Sequence, residues 1–405
     1  NMAFRRDALL GVGGCDPIYR QAGDDVDLCW RVQAAGGTLG FSPAAMVWHH
    51  RRNSVRMYWR QQQGYGKAEA LLEAKWPEKY NAAGHLTWGG RLYGKGLTRA
   101  LSFRRGRIYQ GTWGSGLFQS LYQPAQGLIS SLPLMPEWYL VILLLAGLSA
   151  LGLLWKPLLW ASPVLLLAVG ALLAQSGLSA ARAHFTSAPA TRLARFKLWS
   201  VTTFMHLIQP LARLRGRLRF GLTPWRTRGL QSGFSPPWPR TASVWSEHWQ
   251  GADDRLRAVE SNLRERGACV LRGGDFDAWD LEMRGGVLGS ARARMVLEEH
   301  GGGKQLARFR LWPRISRAWL MPIFLFAGLS VAASLDGAWV AAVLLGACAA
   351  LLAARMYQEC AATTRTLLRV VRAAGEPSAV EVAAAADLAK AQSQNLRREG
   401  LSNME

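Results

Sequence analysis

Acidic residues are scarce in this sequence. The chain has 27 Asp and Glu residues against 49 Lys and Arg residues, which gives a formal net charge of +22. No Asp or Glu occurs within residues 138–246, although arginine is frequent there. Arginines that flank apolar segments mark the cytoplasmic side of a membrane, where they also attract anionic lipids. The positive charge therefore indicates a membrane as a partner, and we expect no nucleic-acid partner.

Cysteine is also rare, and its spacing excludes two classes of small domain. The chain has five cysteines: Cys15, Cys29, Cys269, Cys348 and Cys360. They form neither the paired spacing of a zinc site nor the framework of a disulfide-rich domain. We therefore expect reduced thiols in a cytosolic or buried setting.

Hydrophobic residues make up 50% of the chain and are concentrated in long uncharged runs. The runs are 138–155, 157–174, 318–334 and 337–354. A helix of about 18 residues is roughly 27 Å long, close to the hydrocarbon thickness of a bilayer. Because the turn within each pair of runs is very short, the pattern predicts two transmembrane hairpins. The larger polar segments then share one side, which we expect to be the cytoplasmic side of a bacterial-type inner membrane.

Shorter patterns divide the remaining chain. The first residues alternate predicted helices (5–10, 24–35 and 54–80) with two short strands at 38–43 and 45–50, and we expect Gly64, Gly66 and Pro77 to break the third helix. A further helix is predicted at 253–266. Residues 198–212 are apolar but contain a histidine, a glutamine and a proline, which favours an interfacial helix over a further span. The predicted order is an α/β domain (1–95), a basic membrane-surface linker (96–137), a hairpin (138–174), a basic interfacial segment (175–240), a small α+β cytoplasmic module (241–313), a second hairpin (318–354) and a helical or disordered tail (355–405).

Against this basic background, one segment concentrates acid. Asp24, Asp25 and Asp27 begin the predicted helix at 24–35. A carboxylate in the first turn of a helix accepts a free backbone N–H and complements the helix dipole. Three acids so close together also repel one another, so helix capping alone explains them poorly.

Further motifs surround this acidic segment. A Gly-Gly turn at 13–14 precedes the acidic pair, a D-L-x-x-R pattern runs from Asp27 to Arg31, and a V-x-H pattern at 47–49 ends a predicted strand. This succession resembles the second half of the GT-A catalytic domain of family 2 glycosyltransferases. The resemblance covers about the first 80 residues in detail. It implies inverting transfer of a sugar from a nucleotide-sugar donor, and a fold class of partial α/β GT-A domain followed by α-helical membrane hairpins and the small α+β module.

The resemblance also assigns roles to single residues. Asp25 stands at the position of the catalytic base, with Asp24 beside it. Asp27 and Arg31 belong to the structural continuation of the motif, where we expect Asp27 to cap the helix. His49 stands where the family can complete the metal site of the donor diphosphate. A divalent metal, Mg²⁺ or Mn²⁺, is therefore the implied cofactor.

Further residues are candidate acceptor contacts. Trp30 can either stack on a sugar ring or pack in the core, and the sequence leaves both readings open. Gln61 and Gln62 match the glutamines of the Q-Q-x-R-W type motif found in processive members of the family. Gly64 and Tyr65 occupy the places of its Arg and Trp, which argues against a processive enzyme.

The resemblance leaves one part unmatched. We expect the nucleotide-binding half, with its metal-binding D-x-D, to precede Asn1, so that this chain alone is inactive. The segment 273–280 matches D-x-D by letters only, and we expect a solvated turn there.

The expected function is that of a membrane-anchored inverting glycosyltransferase, hexosyltransferase-like, acting on a lipid-linked or membrane-proximal glycan acceptor, as in making cell-envelope polysaccharide. Two alternatives remain. One is a processive polysaccharide synthase, and the other is a non-catalytic membrane scaffold whose 241–313 module binds a partner.

Overall fold

The computed structural model describes residues 2–40, 54–81, 84–85, 132–181, 183, 191–227, 229, 236–274 and 276–373. The chain divides into two compact units. The first unit comprises Asn1–Arg226 and Met321–Leu351, and the second comprises Thr227–Leu320 and Leu352–Glu405.

The described residues form α-helices, β-strands and short 3₁₀ helices. The α-helices are α1 (Arg6–Gly11), α2 (Asp24–Ala34), α3 (Val55–Lys75), α4 (Trp138–Leu151), α5 (Ala161–Ala181), α6 (Arg192–Arg219), α7 (Ala252–Glu265), α8 (Arg317–Leu335) and α9 (Trp339–Ala373). The strands are β1 (Arg240–Ser246), β2 (Cys269–Arg272), β3 (Leu281–Arg284), β4 (Gly289–Glu299) and β5 (Gln305–Ile315). Short 3₁₀ helices occur at Pro77–Lys79, Leu132–Leu134 and Lys156–Trp160.

The N-terminal part of the first unit is helical where the structure describes it. Helices α1 and α2 confirm the predictions at 5–10 and 24–35. The predicted strands fall largely on residues 41–53, which lie outside the described residues, and residues 38–40 form no strand. A GT-A sheet therefore stays a prediction.

Helix α3 corrects one expectation from the sequence. It runs unbroken over 21 residues, through both Gly64 and Gly66, and begins where the Ser54 hydroxyl accepts the backbone N–H of Met57 at 3.3 Å. Pro77 does end the helical stretch, because the chain continues from there as a 3₁₀ helix. Both glycines lie at close contacts with other segments, where an added Cβ would meet Gln21 or the Arg213 carbonyl.

The apolar runs form helices, but not four of equal length. Within the described residues, three segments are long and apolar enough to cross a membrane: Lys156–Ala181, Arg317–Leu335 and Trp339–Ala373. The predicted full span at 138–155 is corrected, because α4 has only 14 residues and ends at Leu151. The chain turns back at Gly152, where an added Cβ would lie 2.8 Å from the backbone nitrogen of Leu159.

Hydrogen bonds connect these apolar helices within the first unit. The Trp138 indole N–H donates to the Ala168 carbonyl at 3.0 Å, which ties α4 to α5. The Trp155 indole N–H donates to Asp336 Oδ2 at 2.8 Å. Since Trp155 lies in the turn after α4 and Asp336 in the turn after α8, the two hairpin turns meet at the same end of the helices.

Helix α6 extends the predicted interfacial helix in both directions. It has 28 residues and contains Pro210. One side of the helix is buried, whereas Leu193, Phe196 and Phe204 are exposed. This exposed apolar side fits a helix that lies along a membrane interface.

The second unit is built on a five-stranded antiparallel sheet with strand order β1-β5-β4-β3-β2. One face of the sheet is apolar and packs against α7 and the C-terminal part of α9. Its core residues include Val244, Phe309, Leu311, Leu281 and Met283 from the strands, with Val259, Leu263, Leu367 and Val371 from the helices. Helix α7 confirms the predicted helix at 253–266.

A buried carboxylate fixes α9 to the sheet within this unit. Glu359 is 1% exposed, and its Oε2 accepts the backbone N–H groups of Leu288 and Gly289 at 2.8 and 2.9 Å. Its Oε1 accepts from Arg355 at 3.0 Å. The carboxylate thus satisfies backbone donors that the β3–β4 turn would otherwise leave buried.

Candidate active site at the start of helix α2

Asp24 and Asp25 lie at the start of α2 with exposed side chains. The preceding residue, Gly23, has a φ of 94° and provides no side-chain cap. Within the described ranges, the one hydrogen bond of Asp25 is that of its Oδ1 with the adjacent N–H of Val26, at 2.9 Å. Among the residues that the structure describes, neither carboxylate forms an ion pair. Two adjacent acids in a basic chain are thus left open to a ligand.

The acidic pair is positioned by contacts with α3. A Cβ added at Gly23 would lie 3.1 Å from the Ala68 side chain, and one at Gly64 would lie 2.9 Å from Gln21 Oε1. The segment 21–23 therefore runs along α3 between positions 64 and 68. Gln61 lies one helical turn from this contact, so the structure brings the acidic pair close to the part of α3 that carries Gln61.

Asp27 lies two residues further on and has a different environment. It is fully buried and accepts hydrogen bonds from Arg31 Nε at 2.8 Å and Trp76 Nε1 at 2.9 Å. Lys75 Nζ lies 2.8 Å from Asp27 Oδ1 and 2.7 Å from Asp16 Oδ2. The expected helix cap is therefore corrected: Asp27 joins α2 to the end of α3.

The ionised form of Asp27 is stabilised by these neighbours. Burial acts to raise the pKa of Asp27, but the hydrogen bonds from Lys75, Trp76 and Arg31 outweigh it and lower the pKa. Arg31 also donates to the Val12 carbonyl at 2.5 Å, so the same motif holds the loop after α1. Asp27 and Arg31 thus have contacts typical of structural residues.

Trp30 packs among aromatic side chains. Its ring is half-buried and meets Trp76 edge-on at 6.0 Å and Tyr80 at 6.2 Å between ring centroids. The Lys79 ammonium lies 5.4 Å from the centre of the Trp30 ring. These contacts favour the packing reading of Trp30, and a sugar could reach only the part of the ring that remains exposed.

The two glutamines face different surroundings. Gln61 is half-buried and donates to the Tyr65 hydroxyl at 2.9 Å. Gln62 is only 4% exposed and accepts from Gln209 of α6 at 3.4 Å. Gln62 is therefore part of a helix contact, which leaves Gln61 as the glutamine that an acceptor could reach.

The contact between α3 and α6 depends on glycine. A Cβ at Gly66 would overlap the Arg213 carbonyl, and one at Gly216 would lie 3.0 Å from Gly66 Cα and overlap the Gln63 carbonyl. The backbones of the two helices therefore cross almost in contact. Gly66 thus serves the α3–α6 crossing, whereas Gly64, which stands at the place of the motif's Arg, faces Gln21.

Beside this crossing lies a buried ion network that sequence reasoning missed. Glu69 of α3 pairs with Arg213 and Arg217 of α6, each at 2.5 Å. Arg217 also pairs with Glu137, just before α4, at 2.5 Å, and Glu137 Oε2 lies 2.9 Å from His85 Nε2. The partners are up to 148 positions apart in the chain. No local pattern could have indicated them.

The charges in this network stabilise one another. Burial acts to raise the pKa of Glu137, but the hydrogen bond with His85 and the positive charge of Arg217 lower it to about 2. Burial likewise opposes ionisation of Glu69, and the two arginines outweigh it and lower its pKa. The pKa of Arg217 is raised by the two glutamates in spite of its burial. All three groups are therefore charged at neutral pH.

The predicted metal ligand cannot be placed, because His49 lies outside the described residues. Within the described ranges, no group of three or more His, Cys, Asp and Glu side chains is arranged to hold a metal ion. In the segment 273–280, Asp277 Oδ2 accepts the Gly274 N–H and Asp280 Oδ2 accepts the Met295 N–H. These are the contacts of a turn and its flanking strands.

Comparison with known proteins identifies a partial similarity to a glycosyltransferase. Over 103 residues the chain is 34% identical to the pre-mycofactocin glycosyltransferases of two Mycobacterium tuberculosis strains, CDC 1551 / Oshkosh and ATCC 25618 / H37Rv. The aligned part is 24% of this chain and 22% of each relative. No protein-family profile and no solved structure matches the chain. The chain thus shares with these glycosyltransferases a stretch of about a fifth of their length.

Proposed function

We propose that this protein transfers a sugar at a membrane surface, with Asp25 as the general base. One observation carries the proposal: the exposed, unpaired Asp24–Asp25 pair at the start of a helix, in a chain partly similar to a glycosyltransferase. In this proposal the protein is an inverting glycosyltransferase of family 2, and the first part of the chain belongs to a GT-A domain.

The proposed reaction requires one general base beside the hydroxyl group that receives the sugar. The acceptor hydroxyl oxygen attacks the anomeric carbon of the donor sugar, and the bond from that carbon to the diphosphate breaks. Asp25 takes the hydroxyl proton, and the nucleoside diphosphate leaves with the bonding electrons. General-base assistance of this kind typically contributes about 10²–10⁴ in rate.

The connections of α3 support a membrane-proximal acceptor. The acidic pair lies against α3, which is joined to α6 by the Glu69 ion pairs. Helix α6 in turn contacts the apolar helices, because the Tyr139 hydroxyl donates to the Leu207 carbonyl at 2.6 Å and the Trp199 indole to the Gly177 carbonyl at 3.1 Å. We therefore propose a lipid-linked or membrane-proximal acceptor, with Gln61 as its first polar contact.

The donor and the metal enter the proposal only through the family resemblance. A nucleotide sugar is the proposed donor and Mg²⁺ or Mn²⁺ the proposed cofactor, with His49 as a ligand. The described residues do not supply a ligand set, so no step is assigned to the metal. The proposed location is the cytoplasmic face of the membrane, on the basis of the arginines that flank α5 and α6.

Sugar transfer can be tested directly in membranes. Membranes from cells that express the full-length protein are incubated with radiolabelled nucleotide sugars, and the label is followed into lipid-extractable and polymeric fractions. The proposal predicts label in the lipid fraction that is absent when an Asp24→Asn/Asp25→Asn variant is expressed at the same level. Label in long polymer would favour the processive alternative, and no transfer from any donor would contradict the proposal.

A further inference from the structure

The five-stranded sheet of the second unit has a second face that α7 and α9 do not cover. By the strand register, arginines occupy this open face on the three central strands: Arg284, Arg292, Arg294, Arg308, Arg310 and Arg314. Within the paired strands, the acidic residues that share the face are Glu282 and Glu298. Asp280, just before β3, also lies near Arg294, because its Oδ2 accepts the Met295 N–H. The open face is therefore strongly basic, whereas the opposite face is the apolar core.

Several of these arginines have acidic partners within the sheet. Arg308 pairs with Glu298 at 2.6 Å. Arg292 pairs with Glu282 at 2.8 Å, and Arg314 is a second partner of that same carboxylate. Both glutamates of the face therefore form ion pairs, and together they neutralise only part of its positive charge.

Arg294 and Arg310 remain without an acidic partner among the described residues. They stand directly opposite each other on β4 and β5, and both side chains are exposed. Like charges directly opposite each other in a sheet destabilise the pairing. An anion between the two guanidinium groups removes this repulsion, because the arginine fork matches the geometry of phosphate oxygens.

Aromatic and apolar side chains stand beside the arginines. Trp245 on β1 is 44% exposed, Val296 on β4 is 55% exposed, and Trp312 on β5 is half-buried opposite Arg292. Tryptophan next to basic residues is a combination found at the headgroup level of membranes.

The position of the sheet in the chain favours a membrane as the source of the anion. β5 ends at Ile315, and α8, which is long and apolar enough to cross a membrane, begins at Arg317. At about 3.4 Å per residue, Arg310 lies within roughly 24 Å of the first residue of α8 along the chain. If α8 crosses a membrane, only this short stretch of chain separates the sheet from the headgroups.

We propose that the open face of this sheet binds the phosphate groups of anionic lipids in the membrane that α8 crosses. Arg294 and Arg310 form the centre of the surface, and Trp245 and Trp312 contact the headgroup layer. The inference rests on α8 being a membrane span, which is part of the proposed function, but it does not depend on sugar transfer.

Collisional quenching by a lipid-borne spin label can test this surface in the full chain. Exposed native thiols are removed (Cys15→Ser, Cys348→Ala), and a fluorophore is attached at Ser243→Cys, an exposed open-face position opposite Arg308. The protein is placed in nanodiscs of phosphatidylcholine or of phosphatidylcholine with phosphatidylglycerol, each with headgroup spin-labelled lipid. We expect stronger quenching with phosphatidylglycerol, and a loss of the difference in about 1 M salt.

Two matched double variants identify the residues responsible. Arg294→Gln/Arg310→Gln removes the unpaired arginines, and Arg264→Gln/Arg266→Gln removes two exposed charges at the end of α7. An arginine near an anionic surface contributes about fivefold in affinity, so the first variant should need roughly 25-fold more anionic lipid and the second should not. The melting temperature of the first variant should hold or rise, since repulsion is removed.

Three outcomes would overturn the proposal. One is equal quenching in neutral and anionic nanodiscs, and another is unchanged quenching in Arg294→Gln/Arg310→Gln. The third is binding of single-stranded oligouridylate that requires the same two arginines, together with quenching that is the same with and without phosphatidylglycerol. That result would make the face a nucleic-acid site. Because none of these measurements uses sugar transfer, failure here is distinct from failure of the proposed enzymatic activity.

Discussion

Asp25 and Asp27 stand two residues apart in one helix and have opposite environments. In the part of the chain that the structure describes, Asp25 is exposed and bonded only to the next backbone N–H, whereas Asp27 is fully buried with three side-chain partners. A carboxylate with three side-chain partners stabilises the fold, whereas one without side-chain partners is available to bind or deprotonate a ligand. The two residues therefore provide an internal comparison for every test of the site.

Removing the Asp27 carboxylate should destabilise the fold. Asp27→Ala leaves the Trp76 indole without its acceptor and removes one of the partners of Lys75 and of Arg31, and hydrogen bonds to charged groups are each worth about 1.5–3 kcal/mol. We expect a loss of unfolding free energy of at least that size, measured by thermal or denaturant unfolding in detergent. Asp25→Ala is the matched control and should leave stability nearly unchanged. Equal losses for the two variants would contradict the assigned roles.

The lowered pKa of Glu137 predicts acid sensitivity of the buried ion network. Because the folded pKa of about 2 is below the ordinary value of 4.5, the ionised form stabilises the fold above about pH 4.5. This contribution is lost as pH falls from about 4.5 towards 2. Melting temperatures between pH 2 and 6 should therefore fall less steeply in Glu137→Gln than in the unmodified protein. Parallel curves for the two proteins would contradict the ion pairing of Glu137.

At the scale of elements, the crossing of α3 and α6 decides how the site is held. Gly66→Ala places a methyl group on the Arg213 carbonyl, a backbone atom that cannot move without shifting α6. Overpacking of this kind costs about 1–3 kcal/mol, more than the gain in helix propensity of up to about 1 kcal/mol. The measurement is the melting temperature, compared with Gly170→Ala in α5.

Gly170 is the control because a Cβ there would meet nothing within 4 Å. We expect Gly170→Ala to be neutral or slightly stabilising, and Gly66→Ala to melt at a lower temperature. A Gly66→Ala protein as stable as the Gly170→Ala protein would show that the two helices do not cross closely at this point.

The sequence predicts the elements of this protein better than their contacts. Helix α2 and helix α7 lie where their patterns place them, because periodicity and the glycines after each helix are local signals. Gly64 and Gly66 indicated a break in α3, since a sequence does not show that Gln21 and α6 approach the helix closely at these two positions. The sequence indicated a helix cap at Asp27, because it does not show that Lys75, 48 positions away, is the partner of this carboxylate.

At the scale of the whole molecule, contacts within the first unit constrain membrane topology. Helix α3 precedes α4 and helix α6 follows α5, yet α3 and α6 pack together through Glu69 and its arginines. If α5 crosses the membrane, α4 and its flanking residues must therefore cross as well. The Trp155–Asp336 hydrogen bond further places the turns of both hairpins at one end.

Cysteine labelling tests this topology. In a background without the exposed thiols Cys15 and Cys348, we expect Arg56→Cys and Arg215→Cys, exposed on α3 and α6, to react only from the cytoplasmic side. Leu153→Cys and Leu335→Cys, each replacing a side chain that is 83% exposed, should react with an impermeant reagent from outside. Labelling of Arg56→Cys and Arg215→Cys from opposite sides would show that α4 does not cross.

Turnover of the Asp25→Asn protein tests the central claim of catalysis at the acidic pair most directly. Asparagine keeps the size of the side chain and its bond to the Val26 N–H but accepts no proton. With the donor that gives transfer in membranes, turnover per folded molecule should fall about 10²–10⁴-fold with unchanged melting temperature. The Asp27→Asn protein should lose stability and keep its turnover per folded molecule. Near-normal turnover in Asp25→Asn would contradict the assignment of Asp25 as the base.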